Sequence, residues 1–190
     1  MIFPNKYDIN EYLGNFRLIP IAKIFNNKDR KLSPDDAFLR LKKISKQCFI
    51  LDSAASFDKN GRWTFLGFNP KLEISCKDFK LMIKNGTTIK LKAEHPNTFI
   101  REILDENKAP KIKGMPPFTG GLVGYFSFDY IMYEEPILKL EGKDEENFKD
   151  VDLMLFDKVL VFDNFKKEIL IIVNIKTDSL EENYYNALTE

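Results

Sequence analysis

The amino-acid sequence predicts an α+β fold built mainly from antiparallel β-sheets, with about three helices. Short segments rich in β-branched and aromatic residues recur along the chain and are separated by turn residues. They do not alternate regularly with helical segments, as the strands of a parallel sheet would. A chain of 190 residues with 44% hydrophobic content can also bury a substantial core. This length fits one domain, or one large domain and a linker.

The first predicted elements are an extended segment and a helix. Residues 15–25 read as extended, and Pro20 within them indicates an edge strand or a break, because proline cannot donate a ladder hydrogen bond. The helix begins after Ser33, a favourable N-cap, with Pro34 at its first position. Three apolar residues then recur on one helical face: Phe38, Leu41 and Ile44.

The middle of the chain predicts a series of short strands. The runs CFIL, RWTFLGF, KLEIS, FKLMI and TIKL fall within residues 48–91. Asn85 and Gly86 separate the last two runs and predict a two-residue hairpin turn with positive φ at both residues. Such hairpins are the main reason to expect antiparallel sheets.

The second half of the chain adds two helices and further strands. Residues 98–107 show the apolar spacing of an amphipathic helix, and residues 121–130 read as one aromatic strand. Residues 153–162 and 167–175 are apolar enough to be two central strands joined by a turn. A last helix is predicted over residues 179–188.

Charge and hydropathy exclude several classes of partner. The 29 basic and 29 acidic residues balance, and no basic run is interleaved with stacking aromatics, so we expect no nucleic-acid partner. No segment approaches the ~18 apolar residues that cross a bilayer, and the N-terminus does not resemble a signal peptide. We therefore expect no membrane partner and a cytoplasmic location. The acidic residues 134–150 are predicted to form a solvated loop.

Residues that commonly carry metal or nucleophilic chemistry are few. Cys48 and Cys76 each lie in an apolar run, which predicts buried free thiols rather than a disulfide framework or a zinc site. The single histidine, His95, has no second His or Cys near it and is predicted to serve a loop or a cap. The sequence therefore predicts neither a metal site nor a catalytic triad.

Residues 117–136, PFTGGLVGYFSFDYIMYEEP, combine paired glycines, a third glycine and several aromatics. Such a run predicts a special backbone or a close approach of another strand. We interpret it as a core strand whose aromatics fill the interior and whose glycines admit close packing. Tyr125 and Asp129 are the two polar-capable members that could report a functional contact, and neither is expected to be catalytic.

Residues 49–70, FILDSAASFDKNGRWTFLGFNP, place Asp52 and Ser53 at the predicted end of a strand, beside small residues. A carboxylate and a hydroxyl there could hold the ammonium and carboxylate groups of a ligand through charge-assisted hydrogen bonds. The alternative is a simple turn, since Asp and Ser are frequent turn residues.

Together, the two stretches resemble the N-terminal domain of anthranilate synthase component I, a chorismate-utilising enzyme family. Its usual pattern is LLES, then GRYSFIG.NP, then PF.GG.VGY.SYD. The resemblance covers about residues 16–175. It implies a regulatory N-terminal domain over residues 1–176, and a linker helix over residues 177–190 that leads to a catalytic domain outside this chain.

The resemblance also implies a regulatory site. The LLES position, here Leu51, Asp52 and Ser53, belongs in this family to the pocket for L-tryptophan, the end product that inhibits the enzyme. Asp52 replaces the usual glutamate and is one methylene shorter. Arg62 is the candidate for a basic residue that lines this pocket in family members, and the alternative is a charge exposed on a strand.

The family's reaction, as the resemblance implies it, adds ammonia from a glutamine amidotransferase subunit (component II) to chorismate and eliminates pyruvate to leave anthranilate. Chorismate and Mg²⁺ bind in the C-terminal chorismate-binding domain, so we expect no catalytic residue and no cofactor within this chain. Two alternatives stay open. One is the equivalent domain of aminodeoxychorismate synthase component I, and the other is a stand-alone amino-acid-binding or interaction module.

Overall fold

The structure, a computed structural model, describes residues 1–29, 31–52, 61–135, 137–138 and 144–189. Within these ranges the chain forms eleven strands and four α-helices. The strands are β1 (Ile2–Phe3), β2 (Leu18–Asn26), β3 (Cys48–Leu51), β4 (Trp63–Phe68), β5 (Leu72–Lys77), β6 (Lys80–Asn85), β7 (Thr87–Lys92), β8 (Gly121–Phe126), β9 (Val151–Phe156), β10 (Lys158–Asp163) and β11 (Glu168–Lys176). The helices are α1 (Pro34–Ile44), α2 (Pro96–Glu106), α3 (Ile131–Glu134) and α4 (Leu180–Thr189). The predicted α+β class with antiparallel sheets is confirmed.

The chain divides into two compact units, and each is assembled from separate stretches of sequence. Unit 1 comprises Met1–Pro70, Asn107–Gly121 and Phe156–Glu190, and unit 2 comprises Lys71–Glu106 and Leu122–Leu155. Each unit is built around one sheet.

Unit 1 contains a six-stranded sheet in the order β1-β2-β11-β10-β4-β3, in which every neighbouring pair is antiparallel. Pro20 lies on β2 beyond the part of that strand that pairs with the two-residue β1, which agrees with the edge position predicted for it. Helix α1 begins as predicted, because the Ser33 hydroxyl accepts a hydrogen bond from the Asp36 amide at 3.1 Å. Helix α4 packs on this unit through the buried ring of Tyr184.

Unit 2 contains a five-stranded sheet in the order β7-β6-β5-β9-β8. Its core is a cluster of apolar side chains from the sheet and α2, closed by the ring of Tyr133. The Tyr133 hydroxyl donates to the Asp150 carboxylate at 2.6 Å and accepts from the Phe79 amide at 3.0 Å. Burial raises the pKa of Tyr133, and hydrogen bonds with Asp150 and with the Cys76 thiol, 3.5 Å away, raise it further, so the phenol stays protonated and acts as a fixed hydrogen-bond donor.

The continuous strand predicted over residues 153–162 is wrong. The chain forms β9 up to Phe156, leaves Asp157 between strands and continues as β10 in the other sheet. Strand β9 pairs with β5, whereas β10 pairs with β4 and β11. Both halves of this segment are apolar, so its composition does not reveal where the chain passes from one sheet to the other. That point is set by the distant strands with which each half pairs.

The aromatic strand predicted over residues 121–130 is too long. Strand β8 ends at Phe126, and residues 128–134 form a 3-10 turn followed by α3. The aromatic side chains of residues 121–130 also fill the interior less than predicted, since Tyr125, Phe126 and Phe128 are 39%, 50% and 81% exposed. Tyr133 on α3 is the ring of this stretch that is fully buried. The close packing predicted at the glycines is present at Gly120 and Gly124, where an added Cβ would lie within 3 Å of backbone atoms.

The hairpin predicted at Asn85 and Gly86 is present, but its turn differs. Asn85 pairs with Thr87 as the last residue of β6, so only Gly86 has positive φ, at 68°. The turn with positive φ at both residues is instead Asp78-Phe79, at 48° and 61°, between β5 and β6. The Tyr133 hydroxyl and the Asp150 carboxylate hold the amides of that turn. Tertiary hydrogen bonds therefore replace the usual Asn-Gly preference there.

The cysteines are free thiols, with Cys76 buried and Cys48 half-buried. Among the described residues, no group of three or more His, Cys, Asp or Glu could hold a metal ion. In the same part of the chain, no helix is long and apolar enough to cross a membrane.

Candidate regulatory site

The candidate site lies in unit 1, where β3 ends. Strand β4 pairs with β3 on one side and β10 on the other, with Leu51 opposite Phe65 and Asp163 opposite Trp63. This register brings Asp52, directly after β3, to the same end of the sheet as the β10–β11 turn. Polar side chains from three separate segments therefore meet at one sheet end.

A chain of hydrogen bonds connects these segments. The Thr64 hydroxyl donates to Oδ1 of Asp52 at 2.7 Å, and Nδ2 of Asn164 donates to the same hydroxyl at 3.0 Å. Thr64 is fully buried, Asn164 is half-buried and Asp52 is exposed. One oxygen of a solvent-facing carboxylate is thus fixed by a buried donor.

A second interaction fixes the turn itself. Arg62 donates from Nη2 and Nε to the Asp163 carboxylate at 2.6 and 3.1 Å, and its guanidinium carbon lies 4.3 Å from the centre of the Trp63 ring. The Asp163 side chain is 1% exposed and also accepts from the amides of Phe165 and Lys166. Burial alone would raise the pKa of Asp163, but the Arg62 and amide hydrogen bonds outweigh it and hold that pKa below its ordinary value.

The PFTGG segment supports the same part of the sheet. The Phe118 ring contacts the rings of Phe49 on β3 and Phe65 on β4, with centroids 6.2 and 5.7 Å apart. A Cβ at Gly120 would lie 2.6 Å from Nδ2 of Asn174 and 2.7 Å from a backbone oxygen, so only glycine fits there. The segment identified by its glycines therefore braces the strands that carry the candidate site.

The structure places the predicted site residues unequally. Asp52 is exposed at the end of β3, and the neighbouring Leu51 is 48% exposed. Ser53 lies outside the described residues. The Arg62 guanidinium is bound by Asp163, so it is not the exposed strand charge that was the alternative.

Sequence reasoning missed Thr64, Asp163 and Asn164. The Asp-Asn pair was visible as a turn signal, but its proximity to Asp52 depends on the register of three strands. As arranged, the exposed carboxylate of Asp52 can accept a hydrogen bond from a cationic ligand group.

Comparisons with known proteins identify the class of this chain. No protein-family model matches it. It is 28% identical, over 99% of its length, to anthranilate synthase component 1 of Acetivibrio thermocellus, and 32% identical over 82% of its length to that of Saccharomyces cerevisiae. It covers 38% and 30% of those two proteins. The crystal structure of anthranilate synthase component I from Streptococcus pneumoniae matches 87% of this chain and 35% of that one, at 26% identity and a TM-score of 0.50.

The fold and these matches define the chain as an α+β portion related to a larger biosynthetic enzyme, and it spans about a third of the length of the curated relatives it matches. The resemblance to anthranilate synthase component I that the motifs predict is confirmed.

Proposed function

We propose that this chain is the N-terminal regulatory part of an anthranilate synthase component I, and that Leu51, Asp52 and Ser53 form part of a tryptophan feedback-inhibition pocket. The observation that supports this most directly is the exposed Asp52 carboxylate, held at the end of β3 in the segment that matches the LLES motif. An anion fixed at such a place suits the ammonium group of an amino acid. Arg62 contributes to this pocket by holding the adjacent turn through Asp163.

The complete protein, on this proposal, converts chorismate and ammonia into anthranilate and pyruvate in the cytoplasm. Chorismate and Mg²⁺ belong to its C-terminal domain, and a glutamine amidotransferase subunit supplies the ammonia. The C-terminal chorismate-binding domain is the partner we propose for an aromatic surface of unit 2. That surface contains Tyr125, Phe126 and Phe128, whose exposure is high for aromatic side chains.

Two other functions were left open by the sequence. The comparisons favour the tryptophan pathway over the folate-pathway enzyme, because the curated relatives described above are anthranilate synthases. A stand-alone binding module is the remaining alternative. Reading the coding sequence after Glu190 separates it from our proposal, which requires a chorismate-binding domain in the same reading frame.

Replacing Asp52 with Asn in a complete component I is expected to weaken tryptophan binding by about tenfold, because a charge-assisted hydrogen bond becomes a neutral one. Ser53→Ala is expected to weaken binding less. Calorimetry with L-tryptophan measures both effects, alongside inhibition of anthranilate formation. The matched control is Asp105→Asn, which removes an exposed carboxylate at the end of α2 in unit 2. Affinities equal to the parent in both site variants would contradict the proposed pocket.

The isolated 190-residue chain is expected to give no anthranilate from chorismate, ammonia and Mg²⁺, because the proposed chemistry belongs to the C-terminal domain. The fluorescence of anthranilate provides a sensitive assay. A complete component I protein, assayed in parallel, serves as the positive control. Turnover by the purified chain above the background of a buffer blank would overturn this assignment.

A further inference from the structure

We propose that Thr64, oriented by Asn164, is the positioning residue that fixes the Asp52 carboxylate toward an amino-acid ligand, so that the β10–β11 turn sets the affinity of the site. The ligand part rests on the function proposed above. The structural part rests on three side chains joined by hydrogen bonds of 2.7 and 3.0 Å.

The direction of this chain of hydrogen bonds is determined by its members. An ionised carboxylate only accepts, so the single Thr64 proton is committed to Asp52. The Thr64 oxygen must then accept, and the Asn164 amide nitrogen is the donor that meets it. The same nitrogen is 3.4 Å from the carbonyl oxygen of Gly61, which can only accept, so both neighbours require the same orientation of the Asn164 amide. The donors therefore all point toward the negative charge.

The Asn164 end of this series of hydrogen bonds is anchored by the backbone and by the Arg62–Asp163 pair. The backbone N–H of Asn164 donates to the backbone carbonyl oxygen of Arg62 at 2.8 Å, and the Arg62 side chain binds the neighbouring Asp163. Asn164 is thus held at the sheet end because both its backbone and its side chain bind residues 61–64. This anchoring allows Thr64 to present its proton in one direction, which lowers the entropic cost of ordering an exposed carboxylate when a ligand binds.

The length of the residue at position 52 matters for this arrangement. The family motif has glutamate here, whereas the aspartate in this chain has its Oδ1 within 2.7 Å of the Thr64 hydroxyl. A carboxylate on one additional methylene would have to leave that position or fold back. We call the two hydrogen bonds from Asn164 to Thr64 and from Thr64 to Asp52 the Thr64 relay. We assign this relay to sites that have aspartate, and not glutamate, at position 52.

The test compares Thr64→Val, which keeps the shape of the side chain and removes its hydroxyl, with Thr64→Ser, which retains the hydroxyl. The first measurement needs no ligand. Three-bond NMR couplings of the Asp52 side chain in the 190-residue chain report whether one χ1 rotamer dominates. We expect one rotamer in the parent and in Thr64→Ser, and averaging over several in Thr64→Val and Asn164→Ala.

The second measurement is tryptophan affinity in a complete component I. We expect Thr64→Val to bind about tenfold more weakly and Thr64→Ser to bind as the parent does. Thr177→Val is the matched control, because it also removes a hydroxyl hydrogen bond from unit 1 but lies beyond the opposite end of β11. Backbone amide spectra identify any variant that fails to fold, and for such a variant Asn164→Ala supplies the result.

The outcomes separate this inference from the proposed function. If Asp52 keeps one rotamer in Thr64→Val, the relay is refuted whatever the tryptophan affinity of that variant. If the rotamer order is lost but affinity equals that of the parent, the relay exists without a role in binding, and the inference is overturned. If the parent protein binds no tryptophan, the proposed pocket and the ligand part of the inference fall together, while the coupling data still decide the relay.

Discussion

Replacing Gly124 with Ala is expected to destabilise unit 2 by about 4 kcal/mol, the largest effect of any single methyl group we expect in this chain. A Cβ at this position would lie 1.9 Å from the backbone oxygen of Asp152 and 2.8 Å from the Cα of Leu153, both on the neighbouring strand β9. Backbone atoms cannot move aside as a flexible side chain can, so β8 would have to separate from β9. The φ of 155° adds backbone strain for any residue with a Cβ. Urea unfolding monitored by circular dichroism measures the loss.

The matched control is Gly86→Ala in the same unit. Gly86 also has positive φ, at 68°, but a Cβ there would meet nothing within 4 Å. Its expected cost is about 1 kcal/mol, from the backbone conformation alone. Equal losses in the two variants would show that the strand contact at Gly124 contributes nothing.

Replacing Arg62 with Ala is expected to destabilise unit 1 by about 2–3 kcal/mol at neutral pH, because it leaves the buried Asp163 carboxylate without its cation. This loss of stability is at the low end for breaking a buried ion pair, because the Arg62 side chain is 35% exposed and two backbone amides still bind Asp163. The control is Lys84→Ala, which removes the exposed pair with Glu73 at 2.9 Å and should cost less than about 1 kcal/mol. Similar losses in both variants would contradict the special role of Arg62.

The effect of Arg62 should also depend on pH in a defined direction. The pKa of Asp163 is lower in the folded protein than in the unfolded chain, so the folded state is favoured while this carboxylate is charged. That contribution is complete above the ordinary aspartate pKa of about 3.9 and disappears as the pH falls through the lower folded-state value. The difference in unfolding free energy between the parent and Arg62→Ala should therefore be constant near neutrality. It should shrink on acidification once the pH falls through the folded-state pKa of Asp163 in the variant, which lacks the Arg62 hydrogen bond. A difference that grows on acidification would refute the ion pair as its source.

Local patterns were sufficient for most elements. The Ser33-Pro34 start of α1, the five short strand runs and the amphipathic α2 each depend on neighbouring residues, and each was predicted close to its observed position. The motifs with Leu51 and with Gly120 also carry the resemblance to anthranilate synthase component I that the comparisons confirm. Capping, alternation and turn chemistry act over a few residues, and that is why a sequence displays them directly.

Pairing between distant segments accounts for what the sequence did not reveal. Residues 153–162 look like one strand, yet Phe156 and Lys158 belong to different sheets. The same limit applies to the site. Asp52 and Arg62 could be proposed from motifs, but Thr64, Asp163 and Asn164 approach them only through the register of β3, β4 and β10.

By itself, the sequence predicted the fold class and the resemblance to anthranilate synthase component I, and both are confirmed. Only the tertiary structure decided that Arg62 binds the buried Asp163 and that a fully buried threonine donates a hydrogen bond to Asp52. The physical reason is the sequence distance over which each effect acts. Propensities and turns are properties of adjacent residues, whereas the orientation of a charged side chain depends on the groups that distant strands place beside it.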